Sequence, residues 1–457
     1  LNRQSHIFHR NANHTPPRAA RGEGVWIIGQ DGQRWLDACG GAAVSCLGHG
    51  DPDVVAAISA QAGALAYAHT SFFTTDAAED LADLLIEDAP VGLSRVYFVC
   101  DGSEAIETAL KMAHQYHRER GEPTRQHVIA RHQSYHGNTL GALSAGGNAG
   151  RRAVYGGLML PNTSHVDPCW AYRFQAPDES DHAYGARAAA TLEAEILRLG
   201  PENVSCFLAE TVVGATLGCV PPAPGYFKAV REICDRYGVL LILDEVMCGM
   251  GRTGTLHACE REGIAPDIMT VAKGLGAGYV PLGAVLCSGQ VFDAFAQGSG
   301  SFMHGHTFVG HPVATASALA VQRAIRDRGL LTNVRERGAQ LRAELEARFA
   351  DHPHVGDIRG RGLFLALEFV ADRETKRPFD PERRFNQAVR NAAFAHGLMV
   401  YAVAGTVDGR HGDHVLLAPP YTATESDVAY ICERLYNAVT AASQSAFPGL
   451  DEQSVGL

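Results

Sequence analysis

The stretch VLLILDEVMCGMGRTG at residues 239–254, followed after a connector by PDIMTVAKGLGAGYVPLGA at residues 266–284, decides how this chain folds. Val239 to Leu243 is short, β-branched and leucine-rich with no helical spacing, the pattern of a parallel strand buried on both faces. It delivers Asp244 at its carboxyl end. The apolar run before Lys273 reads as a second such strand, and glycine-rich sequence follows each. Ligands of open α/β sheets sit beyond the carboxyl ends of the strands, so Asp244 and Lys273 stand where chemistry is expected.

Upstream, residues 95–100 and 127–130 read as strands, and 206–209 as another that ends at Glu210. Helical spacing of apolar residues marks 51–66, 75–86 (with Thr74 or Thr75 as cap), 188–199 and 313–326. Residues 24–35 alternate around a Gln-Asp-Gly turn as a hairpin does, and GGAAVSCLGHG at 40–50 is too glycine-rich for a stable helix. The segment 161–187 is polar and irregular. Beyond 330 come strands at 355–358, 363–369, 398–402 and 414–417, with helices at 381–395 and 425–441. Strands alternating with helices predict an α/β architecture, with a boundary near 315–330.

The chain has 457 residues, 46% of them hydrophobic, which is enough for a major and a minor domain. Its net charge of −11 comes without long runs of one sign, which argues against nucleic acid as a partner. Eleven cysteines lie singly with no CxxC pair, as expected of reduced core thiols in a cytoplasmic protein. The polar, basic start LNRQSHIFHRNANHTPPRAARGEG is unlike a signal peptide, and no apolar run is long enough to span a membrane.

Lys111, Lys228, Lys273 and Lys376 are the only lysines. Three fall in ordinary solvated contexts. Lys273 lies between Val271-Ala272 and Gly-Leu-Gly-Ala-Gly, where partial desolvation would lower its pKa toward that of a Schiff-base nucleophile. From the residues alone it is either a covalent attachment site or a structural lysine paired with Asp244. Asp244 in turn needs a cationic partner, which could be Arg252 or a protonated pyridine nitrogen. Asp101-Gly-Ser-Glu104 opens a helix whose backbone N–H groups suit a phosphate, although Ser103 could simply cap that helix. Tyr135 in RHQSYHGNT could stack on a planar ligand. Together these residues fit one cofactor, pyridoxal 5′-phosphate (PLP). His304, His306 and His311 lack a cysteine or carboxylate at ligand spacing, so no metal is expected.

The motifs DGSEAIETALK, SYHGNT, AETVVGA, ILDEVMCGMGRTG, AKGLGAGYVPLGA and HGHTFVGHP, spread from about Asp31 to Tyr421, resemble those of class III aminotransferases of the ω-amine:pyruvate type, within the fold type I PLP enzymes. The resemblance implies a large domain with a mostly parallel sheet flanked by helices, at 56–320. A smaller α/β domain would come from residues 1–55 and 321–457. It implies that Lys273 binds the cofactor covalently and that Asp244 faces the pyridine nitrogen. Gly102 and Ser103 would hold the phosphate, Tyr135 and Val246 would pack on the two ring faces, and His136 and Glu210 would complete the surroundings. Thr307 would reach the phosphate of a neighbouring subunit, in a homodimer or a dimer of dimers with shared active sites.

The same resemblance implies transfer of an amino group from a primary amine or ω-amino acid to a keto acid by a ping-pong Schiff-base mechanism. Where glutamate-dependent members read Glu-Pro-x-Gln-Gly-Glu, this chain has Glu210-Thr-Val-Val-Gly-Ala215, which favours pyruvate over 2-oxoglutarate as acceptor. Arg410 is the nearest match to the family's mobile carboxylate-binding arginine; an exposed loop arginine is the alternative. Small residues at Ala42 and Ala43 imply a roomy pocket, with Phe72 also beside the substrate. Other readings are a 2-oxoglutarate-dependent, 4-aminobutyrate-like aminotransferase, a PLP decarboxylase or aminomutase, and a catalytically silent PLP-binding protein.

Overall fold

In the computed structural model, which describes residues 5–446, the two diagnostic apolar runs lie side by side in one sheet. Seven strands of the described residues form it: β1 (Leu93–Val99), β2 (His127–Arg131), β3 (Thr163–Val166), β4 (Val204–Glu210), β5 (Leu240–Asp244), β6 (Ile268–Val271) and β7 (Gly283–Ser288). Their spatial order is β1-β7-β6-β5-β4-β2-β3. Strands β6, β5, β4, β2 and β3 pair in parallel, and β7 runs antiparallel to both of its neighbours. Every residue of β4, β5 and β6 is buried, because helices cover both faces of the sheet.

Helix Gly102–Glu119 packs its apolar face on one side of this sheet, while helices Asp181–Leu199 and Tyr226–Tyr237 pack on the other. Two further four-stranded sheets lie outside it. One combines Ala19–Glu23, Trp26–Gly29 and Arg34–Asp37 with Leu398–Met399, so the N- and C-terminal segments share a sheet. The other is antiparallel and holds Val355–Arg361, Phe364–Phe369, Asp413–Leu417 and Tyr401–Ala404. A common apolar core joins residues from Val25 to Val54 with residues from Val321 to Ala442. This is a mixed α/β fold with a large, mostly parallel sheet and a smaller α/β unit from the two ends of the chain.

Several local expectations change. The segment read as irregular, 161–187, contains β3, a polar strand at the sheet edge that needs no apolar run. The continuous strand read at 398–402 is two short strands that separate at Val400 and join different sheets. The helix read from Pro381 begins at Phe385, after Arg384 in the left-handed region at φ 49°. Strand β7 and the long helix Leu330–Phe349 were not anticipated. Gly40–Ala43, read as loop, makes a single helical turn broken by non-helical Gly41 and Ala42. All eleven cysteines are free, and all but Cys100 are buried. No helix among the described residues is long and apolar enough to cross a membrane.

Candidate active site

Sheet register sets the inner end of the site. Glu210 and Asp244 are direct partners at the carboxyl ends of β4 and β5, and parallel pairing holds such partners about 4.8 Å apart. Lys273 comes two residues after β6 and has φ 47°, a left-handed conformation rarely adopted by a lysine. Such strain persists only where the surroundings over-determine it, as they do at functional sites.

A cavity of about 410 Å³ opens over these strand ends. It is lined by Gly102, Ser103, Tyr135, His136, Glu210, Asp244, Val246 and Lys273, all anticipated from the sequence. Asp101, Gly137, Met247 and Pro281 also line it and were not anticipated, although each stands within or beside a recognised motif.

The Asp244 carboxylate is buried. Its Oδ2 lies 2.8 Å from Nδ1 of buried His136, and its Oδ1 accepts the Val246 N–H at 3.0 Å. The Arg252 alternative is overturned. That guanidinium donates to the carbonyls of Leu363 and Pro419 and lies over the Tyr421 ring at 4.6 Å. Nor does any ion pair join Lys273 to Asp244 among the described residues. Burial lowers the pKa of the Lys273 amine, while the charges of Asp244 and Glu210 oppose that shift. Glu210 accepts hydrogen bonds from the Gly214 N–H at 3.2 Å and the Tyr135 N–H at 3.4 Å. Burial pushes its carboxyl up to about 7, opposed by His136 and aided by the nearby Asp244 charge.

At the other end of the cavity, Asp101 rather than Ser103 caps helix Gly102–Glu119, accepting the Glu104 N–H at 2.9 Å. The capping alternative for Ser103 is therefore corrected: its hydroxyl faces the cavity and accepts the Asn138 N–H at 3.2 Å. Two glycines make room for this arrangement. A Cβ on Gly102 would lie 2.8 Å from a Val246 methyl, and one on Gly137, at φ 131°, would lie 2.8 Å from Ser103 Oγ.

These residues fit PLP. The helix start with the Ser103 hydroxyl offers a phosphate cradle, and Tyr135 and Val246 offer ring contacts. Asp244 offers a buried carboxylate, and Lys273 a half-buried amine of lowered pKa.

The remaining anticipated residues lie elsewhere. Ala43 is buried in an apolar cluster with Val212, Ala215, Met247 and Phe364, and Ala42 is half-buried nearby. Phe72, Thr307 and Arg410 are exposed, outside the lining of the cavity within this single chain. The Thr307 carbonyl accepts the Tyr67 hydroxyl at 2.8 Å.

A model of the class-III aminotransferase family matches residues 7–439. An uncharacterized aminotransferase of Schizosaccharomyces pombe is 46% identical over 439 residues, covering 96% of this chain and 96% of that protein. The diaminobutyrate–2-oxoglutarate transaminase of Halomonas elongata is 36% identical, covering 92% of this chain and 89% of its own. Among solved structures, the ω-transaminase of Pseudomonas jessenii in complex with PMP superposes with a TM-score of 0.91 at 34% identity, covering 98% of each chain.

Proposed function

The chain belongs to the class-III aminotransferases, which are PLP-dependent, and from that premise we propose that it moves an amino group from a primary amine or ω-amino acid to pyruvate. PLP, when bound, holds the amino group between the two half-reactions and takes up the electrons of the broken C–H bond. The chain's own residues do the rest. The Gly102 and Ser103 region would bind the phosphate, and Tyr135 and Val246 would orient the ring. Asp244, held by His136 on one oxygen and the Val246 N–H on the other, would keep a proton on the ring nitrogen. Once free, the Lys273 amine would take the proton from the substrate carbon that bears nitrogen. Its lowered pKa leaves more of it in the neutral form that can accept a proton.

The observation that carries the choice of acceptor is Ala215. It is buried among Ala43, Met247 and Phe364, so no carboxylate at this position restrains an arginine that could bind a keto acid. The name of the Halomonas relative favours 2-oxoglutarate as a second reading. Steady-state turnover with each acceptor separates them: pyruvate should give the higher kcat/KM, and faster turnover with 2-oxoglutarate overturns the choice.

A homodimer is part of the same proposal. Phe72, Phe73, Met303 and Phe308 are exposed around Thr307, and Tyr67 joins the two segments by an edge-on contact with Phe308 at 5.9 Å. An apolar surface of this kind supports a subunit interface that would bring Thr307 toward a partner's phosphate site. Sedimentation should give twice the chain mass.

A further inference from the structure

Beside the cavity runs a pair of arginines with different fates. Arg152 is tied into the fold: its Nη1 donates to the Gly146 carbonyl at 3.3 Å and lies 2.9 Å from the His165 ring. Arg151 is exposed, and its guanidinium lies over the ring of Tyr135, 4.8 Å from the centroid. Tyr135 is a wall of the cavity, and its hydroxyl is further held by Asn138 Nδ2 at 3.1 Å. Among the described residues, Arg151 has no carboxylate partner.

The segment that carries Arg151 is firmly placed. Asn148 Oδ1 accepts the Arg151 N–H at 3.1 Å, and Asn148 Nδ2 donates to Gln133 Oε1 at 3.1 Å. Gln133 in turn donates to the carbonyls of Gly405 and Thr406 at 2.7 and 3.1 Å. Gly150 and Gly409 meet so closely that a Cβ on Gly150 would lie 2.5 Å from the Gly409 carbonyl oxygen. This sets the short helix that carries Arg151 against the loop that carries Arg410. The nearby Asp408 carboxylate is already engaged by His411 and by the Arg410 and His411 N–H groups, so it does not neutralise Arg151.

The geometry points to Arg151 as a fixed carboxylate anchor that selects donors carrying a carboxylate remote from the reacting amine, the ω-amino acids. The inference rests on the aminotransferase reading above and names the substrate class within it. A guanidinium held over a ring can keep its edge N–H groups free, and these meet a carboxylate at two points. The contact with the ring also orders the side chain before the substrate arrives, which lowers the entropic cost of binding. Arg151 is thereby a specificity-determining residue that binds substrate and takes no part in proton transfer.

The test uses the holoenzyme and two donors of matched length, 4-aminobutyrate and butylamine, with saturating pyruvate. In Arg151→Gln the KM for 4-aminobutyrate should rise about tenfold, with kcat nearly unchanged and butylamine kcat/KM unaffected. Arg151→Lys, which keeps the charge, should recover part of the loss. Calorimetry with butyrate, which cannot react, should show a parallel rise of about tenfold in Kd. Equal changes for both donors, or unchanged butyrate binding in Arg151→Gln, overturn the inference. Failure of the wild-type enzyme to turn over either donor overturns the proposed donor and pyruvate choice instead, and the butyrate titration then still decides the role of Arg151.

Discussion

Glu210 and Asp244 end the buried strands β4 and β5 and Lys273 follows β6, whereas Arg151, Arg410, Phe72 and Thr307 lie exposed on short helices or loops outside the lining of the cavity. The inner residues inherit their spacing from sheet hydrogen bonds, which cannot shift without disrupting the core. The outer residues are held by a few side-chain and backbone contacts, such as those of Asn148 and Asp408. Under the proposals above, such a division would let the reaction stay fixed while the outer residues choose what enters.

Substitutions can break that division, and the largest effect should come from the inner wall. Lys273→Ala should lower turnover by about 10³-fold or more. It should also abolish the absorbance band of lysine-bound cofactor. Retention of full activity sinks the assignment. Asp244→Asn keeps the shape but removes the charge that faces His136. Its kcat should fall on the order of a hundredfold for every donor alike.

At the rim, Arg410→Ala should cost about tenfold in kcat/KM for the keto acid, the loss of one charge-assisted contact. The rate of the amine half-reaction, followed by stopped-flow absorbance, should barely change. A loss as large and as general as that of Asp244→Asn would erase the distinction between wall and rim.

The smallest effect concerns stability. Glu210 has its carboxyl raised from 4.5 to about 7, so the folded chain still holds the proton where the unfolded chain has released it. Its contribution is therefore fully present below pH 4.5 and is lost as the pH rises to about 7. Buried histidines such as His257 and His414 are pushed down instead and lose stability as the pH falls. They are common to wild type and Glu210→Gln, so the difference between the two melting curves isolates Glu210. In the cofactor-free chain Glu210→Gln should gain on wild type from pH 4.5 to 7, and a constant difference contradicts the raised carboxyl.

Much of the inner wall was legible because each residue sits next to the apolar run that positions it. Leu240–Asp244 and Ile268–Val271 are buried runs whose ends can be read directly. Ser103 reads from the sequence as a possible cap, and only the Asp101 bond to the Glu104 N–H removes that reading. Strand β3 is not legible in the sequence because Thr163, Ser164 and His165 have no apolar periodicity. Its strand state comes from pairing with β2.

The sequence by itself determined the α/β class and the family, and it singled out the lysine, aspartate and glycine-serine turn that line the cavity, because buried runs and glycine turns are local patterns. The tertiary structure alone decided that His136 supports Asp244 from 108 residues away, that Arg252 does not, and that Arg151 stands over Tyr135. Those contacts depend on strand order and on loops from distant segments meeting over one end of the sheet. Hydrophobic periodicity records whether a segment is buried, but not which distant side chain it will meet.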